Sequence, residues 1–185
     1  MTVYFTASIV GKKHYLPNYL KIIEVLKSKG LQVIFDHIIK TTESEIRMET
    51  KEDRLCFQRR LEKWINSCHF VVAETSFPSI SVGFEISLAL HLGKPVLILY
   101  CEGHPPSLLA HHTEEKLICE KYSNHTLQQL IEDFVNYVQG ESDTKFTFFI
   151  NREMATYLDK ISKKEKIPKS VYLRNLIENK MRTSK

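Results

Sequence analysis

Residues 71–90 read VVAETSFPSISVGFEISLAL. Val71, Val72 and Ala73 end a short apolar run of the kind that fills a buried parallel strand. Pro78, Ser79, Ser81 and Gly83 make a polar turn, and the apolar residues from Phe84 onward recur at helical spacing until Gly93 stops them. The unit is strand, turn, helix, and it delivers one carboxylate, Glu85, where the turn passes into the helix. A glutamate there interacts favourably with the helix dipole, an effect of about 0.3–1 kcal/mol. Its surroundings suggest more, because the hydroxyls of Ser79 and Ser81 and the small Gly83 leave room for a phosphate or a sugar hydroxyl at a helix start.

Working outward, the same alternation repeats. Upstream, the sequence predicts a strand over Thr2–Ile9, a helix over Pro17–Lys29 stopped by Gly30, and a strand over Leu31–Phe35. An exposed loop or weak helix follows over 40–53, then a helix from Arg54 to Asn66 and a strand over His69–Ala73. Downstream come the helix Gly83–Leu92, a strand over Pro95–Tyr100, a break at Glu102–Pro106 and a last helix over Asn124–Val138. Alternating β and α elements imply an α/β fold, a doubly wound parallel sheet of Rossmann-like or flavodoxin-like type, over residues 1–140. Ligands of such sheets gather beyond the carboxyl ends of the strands, which places Ser8, Gly11, His37, Ser79 and Glu85 on one rim.

The chain has 185 residues, 43% of them hydrophobic and 26% charged, within the range of globular proteins. No long uncharged apolar run and no charged-then-apolar leader is evident, so the expectation is a cytoplasmic protein without a membrane segment. Cys56, Cys68, Cys101 and Cys119 are widely spaced and are expected to be reduced. His104, His111 and His112 lack partners at ligand spacing, so neither a metal nor a cofactor is expected. The formal charge of +4 conceals an asymmetry: residues 1–144 carry net −3 and residues 145–185 net +7. A polar linker over 141–144 separates the two parts.

The segment from Val71 to Glu85, with Ser8-Ile9-x-Gly11 after the first strand, His37 after the second and Gly93-Lys94-Pro95-Val96 before the fourth, resembles the nucleoside 2-deoxyribosyltransferase family. Within it, the segment resembles the 2'-deoxynucleoside 5'-phosphate N-hydrolases. The resemblance covers roughly residues 2–100. It implies that Glu85 is a nucleophile attacking the anomeric carbon of a deoxyribosyl group, and that Ser79, where the transferases carry an acidic residue, holds a 5'-phosphate. Ser8, Gly11, Ser81 and Gly83 would complete that site, and His37 matches a site histidine of the hydrolase branch. The family also places an aspartate some two dozen residues before the nucleophile, to assist the departing base. Here that position falls on Leu61, or on Arg60 with a shift of one, and Glu62 is the nearest acid. A helix turns a side chain by about 100° per residue, so Glu62 takes the role only if the helix presents it to the site.

The tail, 145–185, has its own pattern. Lys145, Thr147 and Phe149 alternate with Phe146, Phe148 and Ile150 along a strand. Asn151 caps a helix carrying Met154, Tyr157, Leu158 and Ile161, and a second helix from about Lys169 to Met181 follows a turn over 166–170. So short a segment cannot bury enough surface alone. It resembles the ribbon-helix-helix family, whose chains pair their strands as dimers. The resemblance implies that Lys145, Thr147 and Phe149 read base edges, and that Lys169 and Ser170 meet a DNA phosphate. Together the two parts suggest a dimeric, double-stranded-DNA-binding regulator responsive to a deoxynucleoside monophosphate. The alternative is an N-glycosidic hydrolase or transferase acting on such nucleotides through Glu85, with a tail that only oligomerises it.

Overall fold

The structure, a computed structural model, describes residues 1–103, 105, 116–140, 150–165 and 169–183. By its internal contacts the chain divides into two units, Met1–Thr144 and Lys145–Lys185.

The first unit is built on five strands: β1 (Thr2–Ala7), β2 (Gln32–Ile34), β3 (Phe70–Glu74), β4 (Val96–Tyr100) and β5 (Leu117–Lys121). They are all parallel and lie in the order β2-β1-β3-β4-β5. This is the 2-1-3-4-5 order of flavodoxin-like sheets, whose direction of winding reverses between β1 and β3. The helices are α1 (Lys12–Ser28), α2 (Asp36–Lys40), α3 (Glu43–Met48), α4 (Lys51–Ser67), α5 (Ile80–His91) and α6 (Leu127–Gln139).

Alternation along the strands gives each sheet face its own core. Val3, Phe5, Phe70, Val72, Leu97 and Leu99 meet Ile22 and Leu26 of α1 and Ile131 and Phe134 of α6. Tyr4, Val71, Ala73 and Ile98 meet Leu61 and Ile65 of α4 and Val82, Ile86 and Ala89 of α5. Each fully buried aliphatic side chain contributes about 1.5–3 kcal/mol, so the two faces fix which side of α4 and α5 looks toward the sheet.

Several boundaries differ from expectation. Helix α1 begins at Lys12, five residues before Pro17, which lies inside it. Proline is favoured in a first turn, which is why the sequence suggested a start there. The expected loop over 40–53 contains α3 and the start of α4, each opened by a reciprocal capping box, Thr42 with Glu45 and Thr50 with Asp53. Strand β5 was not expected; its residues are only partly buried at the sheet edge, so they lack a clear apolar signal. Helix α5 begins at Ile80 rather than Gly83. No helix among the described residues is long and apolar enough to cross a membrane.

In the second unit, Asn151 accepts a hydrogen bond from the Met154 backbone N–H at 2.8 Å. It thereby caps α7 (Arg152–Glu165), which packs on α8 (Lys169–Thr183). Tyr157 and Tyr172 join their hydroxyls at 3.2 Å. Leu158 is buried, while Met154, Tyr157, Leu176, Ile177 and Met181 remain exposed. Ile150, Met154, Tyr157, Leu158, Leu173 and Leu176 are among the residues around an open apolar hollow of about 370 Å³. The expected ribbon strand, with Lys145, Thr147 and Phe149, lies outside the described residues.

Candidate active site

Glu85 sits in the second turn of α5, one turn further in than the sequence suggested, because the helix starts at Ile80. The dipole effect falls off within the first turn, so it does not explain a carboxylate here. Glu85 is only 5% exposed. Burial raises its pKa above the ordinary carboxylate value, and the hydroxyls of Thr6 and Tyr4 partly counter that rise. Tyr4 donates to Oε2 of Glu85 at 3.0 Å. The Thr6 hydroxyl acts on the same carboxylate and on Tyr4 without reaching hydrogen-bond geometry.

Tyr4 carries the arrangement further. Its hydroxyl oxygen lies 2.8 Å from Nε2 of His37. Since the Tyr4 proton is committed to Glu85, Nε2–H of His37 must be the donor, which leaves Nδ1 as a bare acceptor. Nδ1 is buried and has no partner. The imidazole stacks on Tyr4 at 5.0 Å between ring centroids, and lies 5.0 Å from Trp64 and 6.2 Å from Phe57. Burial, assisted by the nearby Arg60 charge, lowers the His37 pKa to about 4, so the ring is neutral at neutral pH. The short helix α2 carries His37. Lys12 secures the end of that helix by donating from Nζ to the carbonyl oxygens of Ile39, at 3.0 Å, and Thr41.

The expected phosphate residues fall into two groups. Ser79 caps α5, accepting from the Val82 N–H at 3.4 Å, and its own hydroxyl proton stays available. Ser79 and Gly83 border a hollow of about 170 Å³ with Thr75, Phe77 and Pro78, and a side chain added at Gly83 would meet open space. Ser81 is exposed on the first turn of α5. Ser8 and Gly11 lie buried in the turn that follows the carboxyl end of β1. The Ser8 hydroxyl accepts from the Gly11 N–H at 3.1 Å, and Phe77 closes over Gly11 so tightly that a Cβ there would lie 2.6 Å from the Cβ of Phe77. This pair shapes the β1–α1 turn.

Glu62 is also corrected. Its neighbour Leu61 points into the core, 3% exposed, which turns Glu62 outward to accept from Gln58 at 3.2 Å. The stripe of α4 that meets His37 consists instead of Phe57, Arg60 and Trp64.

Sequence reasoning missed Tyr4, whose place in an apolar strand reads as core. The available signal was parity: Tyr4 shares a face with Thr6, while Val3 and Phe5 face the other way. It also missed Glu74, a second buried carboxylate at the end of β3. Glu74 accepts from the hydroxyls of Ser76 and of Tyr122, the latter at 3.2 Å, and burial raises its pKa. Among the described residues no cluster of His, Cys, Asp or Glu could hold a metal ion.

A model of the family described as nucleoside 2-deoxyribosyltransferase matches residues 3–139. This chain belongs to that family. Among its relatives, the mouse 5-hydroxymethyl-dUMP N-hydrolase is 33% identical over 103 residues, 54% of this chain and 57% of the mouse protein. The Tetraodon nigroviridis protein of the same name is 27% identical over 139 residues, covering 72% of this chain and 96% of its own. Two solved structures of similar fold are a CMP N-glycosidase from Clostridium botulinum and a 2-deoxyribosyltransferase from Bacillus psychrosaccharolyticus. The first has a TM-score of 0.51 and 21% identity over 71% of this chain and 99% of its own. The second has a TM-score of 0.53 and 14% identity over 69% and 90%.

These findings overturn the reading of the chain as a DNA-binding regulator, because the relatives are named as N-hydrolases. The physical reason for the error is that a net charge of +7 also suits a solvated basic face. Lys169, expected at a DNA phosphate, is paired with Asp159 at 2.5 Å. Ser170 lies in the first turn of α8, its side chain outside those described.

Proposed function

We propose that this protein hydrolyses the N-glycosidic bond of 2'-deoxynucleoside 5'-monophosphates. The observation that carries the reading is the buried Glu85 carboxylate held by the Tyr4 hydroxyl, which is itself held by His37. Departure of the base builds positive charge on the sugar, and a carboxylate in a low-dielectric pocket stabilises or traps that charge strongly. Glu85 attacks the anomeric carbon, the base leaves, and water then cleaves the glycosyl ester. Tyr4 fixes the carboxylate's direction and favours its charged form, and His37 orients Tyr4. Ser79, Ser81 and the open backbone at Gly83 receive the 5'-phosphate at the start of α5, where backbone N–H groups favour an anion. Ser8 and Gly11 hold the adjoining turn in place. The names of the N-hydrolase relatives support the substrate class.

In this reading the tail serves self-association. The described helices leave Met154, Leu176 and Ile177 exposed on a 41-residue unit too small to be stable alone, and a second copy buries that surface as a ribbon-helix-helix-like dimer. The function is tested by incubating the purified chain with each of the four nucleotides and separating free base by chromatography. Base is expected from at least one nucleotide, with a loss of at least about 10³-fold in Glu85→Ala. No base from any of them, or undiminished release by Glu85→Ala, would overturn the proposal.

A further inference from the structure

The described site has a carboxylate for the sugar but no acid for the base. What it has instead is a cation on an aromatic wall. Helix α4 buries Leu61 and Ile65 against the sheet and turns Phe57 and Trp64 toward His37. Arg60 stands on the same stripe, its Cζ 5.9 Å from the Phe57 ring centroid and 5.8 Å from that of Trp64. Among the described residues no carboxylate pairs with it. The wall runs without a break from Trp64 to His37 and Tyr4, and Tyr4 touches Glu85. An unpaired guanidinium therefore marks one end of a row of rings and a carboxylate the other. Between them lies His37, whose buried Nδ1 has no partner.

Resting on the hydrolase reading, we propose that Arg60 is the catalytic residue that stabilises the departing base, as a fixed cation and not as a proton donor. A flat heterocycle stacks on such a wall, with its sugar toward Glu85. When the Glu85 oxygen bonds to C1' the C1'–N bond breaks, and its electron pair passes to the base nitrogen and spreads over the ring. The guanidinium donates hydrogen bonds to that anion; because an arginine keeps its proton, the base is protonated afterwards by water. A second water hydrolyses the ester and frees Glu85, and the proton it releases neutralises the hydroxide left by the first, so the net reaction consumes one water. The opposite charges that develop on sugar and base are matched by opposite charges fixed in the site.

This arrangement makes turnover depend on how stable the base is as an anion. The test compares kcat of the full-length protein with those of Arg60→Ala and Arg60→Lys on two graded sets, dTMP, dUMP and 5-fluoro-dUMP, and dGMP and 7-methyl-dGMP. Arg60→Ala is expected to lower kcat by about 10²–10³-fold on the poorest leaving groups, by much less on the best, with KM changed less than kcat. Arg60→Lys should recover part of the loss. A loss by the same factor across a set would mean that Arg60 anchors the phosphate, and no loss that it has no part; either overturns the inference while the hydrolase reading stands. No base released by the wild type from any substrate overturns both. Arg60 is exposed, so unchanged melting of the variants separates these outcomes from misfolding.

Discussion

Tyr4 donates its proton to Glu85 and takes a hydrogen bond from His37, so this hydroxyl, with that of Thr6, favours the ionised carboxylate against the effect of burial. Burial raises the Glu85 pKa and the Tyr4 hydrogen bond opposes that rise. A nucleophile must be ionised, so kcat/KM rises with pH through the pKa of Glu85 in the free enzyme. Tyr4→Phe removes a group that favours the charged form, moves the pKa further up and shifts the acid limb to higher pH. His37, titrating at about 4, lies below the ordinary carboxylate value from which Glu85 is raised, and does not set the limb. A pH profile of Tyr4→Phe checks this, and an acid limb unmoved or shifted downward would remove Tyr4 from the site. Little of this was legible in the sequence. Glu85, Ser79 and His37 stand at strand and helix ends, where residue type and position suggest a ligand, whereas Tyr4 sits mid-strand with the pattern of a core residue. Only the packing of α2 and α5 over the same sheet face reveals its hydroxyl as the link.

At the scale of elements, the order of strands and helices followed from hydrophobic periodicity because each strand from β1 to β4 is flanked by a clear stop, such as Gly30 or Gly93. The edge strand β5 escaped because one of its faces is not covered well enough to demand apolar residues. The direction of α4 escaped for a different reason: spacing places Leu61 at the expected acid's position, Arg60 one residue away and Glu62 as the nearest acid, and the burial of Leu61 settles which side each takes. The β1–α1 turn shows what fixes one element against another. Gly11 has φ of −67°, which any residue adopts, so its need for glycine is spatial. A Cβ there meets the Cβ of Phe77 at 2.6 Å and Oη of Tyr19 at 2.7 Å. Gly11→Ala forces the β3–α5 loop away from the turn and is expected to destabilise the protein by about 1–3 kcal/mol. Phe77→Ala cannot relieve it, since the Cβ in collision is retained. Denaturant titration of Gly11→Ala alone and combined with Phe77→Ala measures both; a neutral Gly11→Ala would show that the loop moves freely.

For the whole molecule, the unequal distribution of charge invited a DNA-binding reading that the hydrolase relatives overturned; under the proposed self-association it bears on how copies would meet. A tail of net +7 repels its like, so any dimer formed through it must rely on apolar contact strong enough to offset that repulsion. The described helices offer such a surface in Met154, Tyr157, Leu176 and Ile177, all at least half exposed or nearly so. In an isolated chain, placing a carboxylate at so exposed a position changes stability by no more than about 0.5 kcal/mol. In a dimer that buries the position, the same change desolvates an unpaired charge and breaks the association. Leu176→Glu is therefore expected to halve the mass measured by light scattering at about neutral pH. Its melting in the monomeric state should stay close to that of the wild type at low concentration. Raising the salt should strengthen the wild-type dimer, because screening weakens repulsion between the basic tails while leaving apolar burial intact. A Leu176→Glu protein with unaltered mass, or a wild-type dimer that dissociates as salt is added, would place self-association elsewhere than on this apolar face.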